Sequence, residues 1–300
     1  MGVLQLFCDV LYFRKKKRDI IHLSKYIYTG VITLVKNMKK IIAALTLSIM
    51  AVGVTACTPK TNPNADRLDK IKSTKVLRLG TEATYPPMEF TDEKGNKIGF
   101  DIEMINHIAE KLGAKMEIIT TDFAGITEGL SADRFDVIAA TMNITPEREK
   151  IVLFSKPYIE AVGLSVIVKS GNTDIKSFAD LSDKVIGIQQ GTTSEDYVKD
   201  KQYKEIKKYI KIADGLLDLK AGRVDAVITD NVVGAYYMKV DAASYVMLDE
   251  LAEAGPVGIA IPMNSPQLKA EVDKVLDEMM KDGTFTELSM KWFGKDIYKK

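Results

Sequence analysis

Short apolar runs alternate with amphipathic stretches over most of this chain. Val76–Gly80, Lys115–Thr120 and Asp136–Ala140 have the length and side-chain character of strands, and between them Asp101–Leu112 and Ile126–Ala132 repeat apolar residues at helical spacing. The same rhythm restarts at Lys184–Gln189. Strands alternating with helices predict an α/β fold with a mainly parallel sheet. One stretch is echoed: Leu130 to Thr141 and Leu219 to Asp230 share Leu, Ala, Arg and Asp at a constant offset of 89 residues. Each copy reads as a helix, a tight turn and a buried strand, which predicts two similar lobes. Ligands collect at the carboxyl ends of strands in such sheets, so a cleft between two lobes is where function is expected.

The front of the chain breaks this pattern. Met38-Lys39-Lys40 precedes an uncharged apolar run from Ile41 to Val54, and Val54-Thr55-Ala56-Cys57 follows. That is the layout of a secretory signal, with an apolar run short for a membrane span. Val-Thr-Ala-Cys resembles the lipobox of bacterial lipoproteins, which implies cleavage before Cys57 and lipidation of its thiol. An uncleaved membrane helix that leaves Cys57 a plain cysteine is the alternative. Residues 1–37 carry the basic run Arg14 to Arg18 that no secretory signal needs, so translation is expected to start at Met38, with residues 1–37 a non-native extension. Residues 38–56 are then the signal peptide. Residues 57–74, polar and with two prolines, read as lipid anchor and flexible tether, with folding expected to begin near Lys75.

Charge and composition narrow the classes. Residues 1–57 hold nine Lys or Arg and two Asp or Glu, which leaves 33 against 39 in residues 58–300, a net charge near −6. An acidic domain without a basic stripe is a poor partner for nucleic acid. Cys8 and Cys57 are the two cysteines, so the expected exported domain has no disulfide and no cysteine metal site. Its one histidine, His107, falls in a helical pattern and reads as an exposed surface residue rather than a catalytic group or ligand.

Opposite charges at strand ends supply the candidate chemistry. Thr145-Pro146-Glu147-Arg148 is a helix start with Thr145 as cap and Pro146 in the first turn. A cation there opposes the helix dipole, so Arg148 calls for an anionic partner. Thr141 and Asn143 add a hydroxyl and an amide beside it. Gln189-Gln190-Gly191-Thr192-Thr193-Ser194-Glu195 joins a strand to a helix whose amino end can take an anion, with Thr193 beside it. Asp230 ends the run Ala226–Thr229 and presents either a carboxylate to the cleft or a simple helix cap. Arg148 with Thr193 on one side and Asp230 on the other suit a zwitterion, and free α-amino acids are zwitterions. Tyr85 and Phe123 follow the first and second strands and can sandwich a side chain or cover a cation; core packing is the other reading of Phe123.

These motifs coincide in order with a known family. Leu79-Gly-Thr-Glu-Ala-Thr-Tyr-Pro-Pro-Met-Glu-Phe, Ile98-Gly-Phe-Asp-Ile-Glu, Ile144-Thr-Pro-Glu-Arg-Glu, Phe154-Ser-Lys-Pro-Tyr and the terminal Lys291-Trp-Phe-Gly together resemble family 3 extracellular solute-binding proteins, the polar amino-acid binders of ABC importers. The resemblance implies a periplasmic-binding-protein-like type II fold. Two α/β lobes, residues 75–162 plus 260–300 and residues 166–256, would be joined by two hinge strands near Ala161–Val166 and Pro256–Ile261, with the ligand in the cleft. It also implies that Arg148 clamps the ligand carboxylate with help at Thr193, that Asp230 takes the ammonium, and that Tyr85 and Phe123 line the side chain.

Basic amino-acid binders often have serines where this chain has Ala140, Thr141 and Asn143, and an aspartate where it has Glu82. The acid at Glu82 suits a cationic side chain, yet glutamine and cystine binders also carry an acid there, so a basic or polar L-amino acid is expected. The implied partners are that amino acid, an ABC permease with its ATPase subunit, and the membrane through the lipid on Cys57. A monomer on the extracytoplasmic face, with no cofactor, no metal and no catalytic residue, completes the expectation. Two other classes stay in view. A dehydratase on the same scaffold would need an acid–base pair, which the Arg148–Asp230 pairing does not supply. An extracellular sensor domain would need a membrane helix after the domain, and none is expected from the terminal Trp292–Lys300.

Overall fold

The computed structural model describes residues 66–299. The expected extension 1–37, the signal 38–56, the lipidation site Cys57 and the first part of the tether lie outside them. The rest of the expected tether is corrected: Arg67–Thr74 is a helix. Its buried Leu68 and Ile71 join the first lobe's core, and Asp66 accepts from Leu68 N–H as its cap. The segment is only sparsely apolar, and its reason to fold lies in packing against distant residues rather than in its own periodicity.

In chain order the strands are β1 (Val76–Thr81), β2 (Thr84–Tyr85), β3 (Glu89–Thr91), β4 (Lys97–Ile98), β5 (Lys115–Thr120), β6 (Val137–Ile138), β7 (Val152–Phe154), β8 (Ile159–Lys169), β9 (Val185–Gln189), β10 (Glu205–Tyr209), β11 (Ala226–Asp230), β12 (Tyr245–Val257) and β13 (Ala260–Pro262). They form two five-stranded sheets, β5-β1-β6-β13-β7 and β10-β9-β11-β8-β12, and a small antiparallel sheet β2-β3-β4. The two large sheets repeat one plan. β1 runs parallel to β5 and β6, with β13 antiparallel beside β6; β9 runs parallel to β10 and β11, with β8 antiparallel beside β11.

The sequence echo therefore falls on equivalent strands, β6 and β11. Both copies use their Asp identically: Asp136 Oδ2 accepts from Arg78 N–H at 2.9 Å, and Asp225 Oδ2 accepts from Val185 N–H at 2.7 Å. Each carboxylate thus ties the start of a strand to its neighbour. β6 is shorter than the expected 136–140, because the chain leaves the ladder after Ile138 to turn at Thr141, whose φ is +50°.

β8 and β12 run antiparallel between the lobes. Their far ends build the second sheet, while Ile159, Val162 and Val257 pack in the first lobe's core with Tyr158 and Ile259. The chain thus crosses twice, side by side, and Tyr158 N–H donates to Val257 O at 3.0 Å where the crossings meet. The helices Pro266–Asp282 and Thr284–Phe293 return to the first core through Leu268, Val272, Met279 and Phe285. His107 is only half-exposed, with Nε2 buried, rather than a fully exposed residue.

Candidate ligand-binding cleft

A cleft with about 260 Å³ of open space lies between the lobes, lined by Glu82, Tyr85, Phe123, Thr141, Asn143, Arg148, Thr193 and Asp230, together with Ala140, Gln189 and Thr192. The first eight are the residues singled out from the sequence. They come from seven segments, and strand ends explain the convergence: Glu82 follows β1, Thr141 and Asn143 follow β6, and Asp230 ends β11.

Arg148 is positioned by its own short helix. Thr145 Oγ1 caps Pro146–Glu149 by accepting from Arg148 N–H at 3.3 Å, which turns the side chain inward. Its guanidinium donates to Asn143 O at 2.9 Å and to Gly191 O of the opposite lobe at 3.1 Å, and it lies 5.4 Å from the Phe123 ring centroid. Phe123 serves both readings made of it, for the same ring packs with Ile126, Leu130 and Phe135. Burial lowers the Arg148 pKa, against the raising effects of the Asp196 and Asp230 charges.

Asp230 stands at the other side. It precedes the helix Asn231–Val240 but its side chain makes no cap; Tyr85 OH donates to Oδ2 instead, at 2.9 Å. Burial raises its pKa to about 6, against the lowering effects of the Tyr85 hydrogen bond and the Arg148 charge. The helix-cap reading of Asp230 is thereby set aside. Tyr85 does more than line a wall: its ring packs among Ile212, Leu216 and Val233 of the second lobe, and its hydroxyl also lies 3.1 Å from Thr229 Oγ1.

Glu82 is buried, and burial raises its pKa. It accepts from Thr84 Oγ1 at 2.6 Å and, across the cleft, from Gln189 Nε2 at 2.7 Å. Gln189 ends β9 and has no role assigned by the sequence motifs. Its signal was a polar residue closing an otherwise apolar strand, and its Oε1 is buried without a partner among the described residues. The turn after β9 differs from expectation in one respect. Gly191 N–H is already taken by Glu195 Oε2 at 2.7 Å, so this amide is not free for an outside anion. Thr193 Oγ1 faces Asn143 Oδ1 at a long 3.4 Å. Among the described residues no group of three or more acids, histidines or cysteines is placed to hold a metal ion.

The family of bacterial extracellular solute-binding proteins, family 3, matches residues 77–295, and the chain belongs to it. The L-cystine-binding protein TcyJ of Escherichia coli (strain K12) is 31% identical over 256 residues, covering 84% of this chain and 96% of TcyJ. An ancestral arginine-binding protein, solved bound to arginine, is 44% identical, covers 73% of this chain and 98% of its own, and superposes with a TM-score of 0.70. The ancestral amino acid-binding protein AncCDT-1, a precursor of cyclohexadienyl dehydratase, is 38% identical, covers 76% of this chain and 100% of its own, and has a TM-score of 0.72.

Proposed function

We propose that this chain is the extracytoplasmic substrate-binding component of an ABC amino-acid importer. The observation that carries the reading is one cleft holding Arg148, a desolvated guanidinium bonded to carbonyls, and Asp230, a desolvated carboxylate, on opposite sides. Each buried charge is completed by the opposite charge, and a free L-amino acid brings both. Arg148 with Thr193, Thr141 and Asn143 takes the carboxylate end, Asp230 the ammonium. Glu82, with Gln189, Tyr85 and Phe123, surrounds the side chain, which favours a basic or polar amino acid; the arginine and cystine binders among its relatives are consistent with that choice.

In this reading lobe 1 is residues 75–162 plus 260–300, extended by the helix at 67–74, and lobe 2 is residues 166–256. Cys57 carries the lipid that holds a monomer to the outer face of the membrane, where the closed form meets a permease coupled to its ATPase. The ligand is bound and released unchanged, so no residue is catalytic.

The test is to purify residues 58–300, strip bound ligand by unfolding and refolding, and titrate the twenty amino acids, ornithine and cystine by calorimetry, alongside Arg148→Ala. One L-amino acid should bind near micromolar Kd, about −8 kcal/mol, and the variant should lose it. Absence of binding by all of them would reopen the dehydratase reading. A lipidated Cys57 should appear as a mass increment on the mature first residue in membrane fractions.

A further inference from the structure

Behind the cleft wall lie two carboxyl groups that the zwitterion site does not use. Glu89, in β3, and Asp101, in the first turn of the helix Phe100–Lys111, are both at 0% exposure. The charges that act on Glu89 are those of the acids Asp101, Glu82 and Asp230. Both groups hold Thr141. Its backbone N–H donates to Asp101 Oδ2 at 2.9 Å, and its hydroxyl donates to Glu89 Oε2 at 3.2 Å. Tyr158 OH donates to the same Asp101 oxygen at 2.9 Å.

The remaining oxygens, Glu89 Oε1 and Asp101 Oδ1, receive no N–H or hydroxyl donor. Each carboxyl group thus keeps one buried oxygen without a donor, and the two groups hold neighbouring atoms of a single residue, Thr141. Ionised carboxylates only accept, so a proton held between the two groups is what would supply the missing donor. Two bare negative charges side by side in a dry interior would repel strongly.

Thr141 is a residue that needs to be held. A φ of +50° is unusual for a β-branched side chain, and backbone of this kind persists only where its surroundings impose it. Here the imposing groups are the two acids, and the residue they hold lines the cleft. We propose that Glu89 and Asp101 share one proton and act together as positioning residues for Thr141, so that the affinity of the cleft for its amino acid is coupled to that proton. The proposal rests on the reading of the cleft as an amino-acid site.

Burial moves both groups the same way, Asp101 up to about 7 and Glu89 well above the usual carboxylate range. The facing groups reinforce this. Glu82 and Asp230 from the cleft side add negative charge near Glu89, while Tyr158 and Tyr298 face Asp101 as hydroxyls whose own ionisation is pushed up. The pair therefore keeps its proton through neutral pH and loses it as pH rises. Loss of the proton sets two charges against each other behind Thr141, and the cleft loses its geometry on the alkaline side.

The experiment is the Kd of the preferred amino acid against pH for wild type and Glu89→Gln. The amide of glutamine supplies Asp101 with an N–H that does not titrate. Wild-type Kd should rise above neutrality, approaching about tenfold per pH unit beyond the pair's titration, and Glu89→Gln should flatten that rise. A rise caused by the ligand's own ammonium would be common to both proteins, so only the difference between them counts. Infrared spectra of the ligand-free proteins near neutrality should show the carbonyl stretch of a protonated carboxyl group in wild type that Glu89→Gln lacks. Parallel Kd profiles, or the absence of that band in wild type, would overturn the proposal. If no amino acid binds wild type at any pH, the functional reading fails instead, and the infrared band alone then decides whether the proton is shared.

Discussion

At the scale of single residues, the cleft keeps charges that the folded protein would be more stable without. Asp230 is the clearer case, because its pKa of about 6 lies above the ordinary aspartate value near 4. A carboxyl raised by folding contributes most to stability below its unfolded pKa, and that contribution is lost as pH rises toward 6. Binding runs the other way, since an ammonium needs the ionised form. Ligand affinity should therefore fall as pH drops below about 6, while the thermal midpoint of the ligand-free protein rises over the same interval. Asp230→Asn should remove both trends, raising the ligand-free midpoint near neutrality and weakening binding by about 2–5 kcal/mol, the range for truncating one partner of a buried charge pair. Calorimetry and thermal unfolding at several pH values check this, and a variant that binds as well as wild type would remove Asp230 from the site. Arg148→Lys is the matching test of geometry: the charge is kept but the planar fork is lost. Affinity should drop by at least about tenfold, roughly 1.4 kcal/mol, in the same titration.

At the scale of elements, what was legible in the sequence is what local pattern controls. β5 matches its expected span, and the Thr145 cap follows directly from Thr-Pro-Glu-Arg. Eight of the eleven residues that line the cleft were legible, because each sits at a strand end or helix start that can be read within a few neighbours. The helix Arg67–Thr74 was not legible, for its support comes from far along the chain. Asp66 Oδ1 accepts from Leu68 N–H at 3.0 Å, capping that helix, and its two oxygens also accept from Leu268 N–H at 3.2 Å and Gln267 N–H at 2.7 Å, capping Pro266–Asp282. One buried carboxylate thus closes two helix ends 200 residues apart. Gln189, and the pair behind Thr141, were missed for the same reason: their partners are set by tertiary approach. Caps are worth about 0.5–2 kcal/mol each, so Asp66→Ala should cost about 1–4 kcal/mol in urea unfolding with little change in Kd. A chain begun at residue 75 should lose more, because Leu68 and Ile71 leave the core with the cap. Unchanged stability in both would return residues 67–74 to the tether.

At the scale of the whole molecule, the lobes touch through the same groups that would hold a ligand. Arg148 reaches Gly191 O, Glu82 reaches Gln189, and Tyr85 crosses to Asp230 and the apolar side chains around it. A ligand that bridges Arg148 and Asp230 adds to these contacts only when the lobes are together, and a ligand shifts an equilibrium by the difference in its affinity for the two states. The closeness of approach is itself set by a glycine. Gly191 has φ +75°, and a Cβ there would lie 2.7 Å from Ala124 Cα in the opposite lobe. Backbone cannot give way as a flexible side chain can, so Gly191→Ala should hold the lobes apart. The substitution also strains the left-handed backbone, and Gly222→Ala separates the two effects: its φ is +73° and nothing lies within 4 Å of the added carbon. Both variants should lose similar stability, about 1 kcal/mol, whereas only Gly191→Ala should weaken amino-acid binding, by about tenfold or more, and enlarge the radius of gyration of the liganded protein in small-angle scattering. Equal binding by the two would mean that closure tolerates the extra methyl group and that the lobes meet less tightly around the ligand than Gly191 and Ala124 do here.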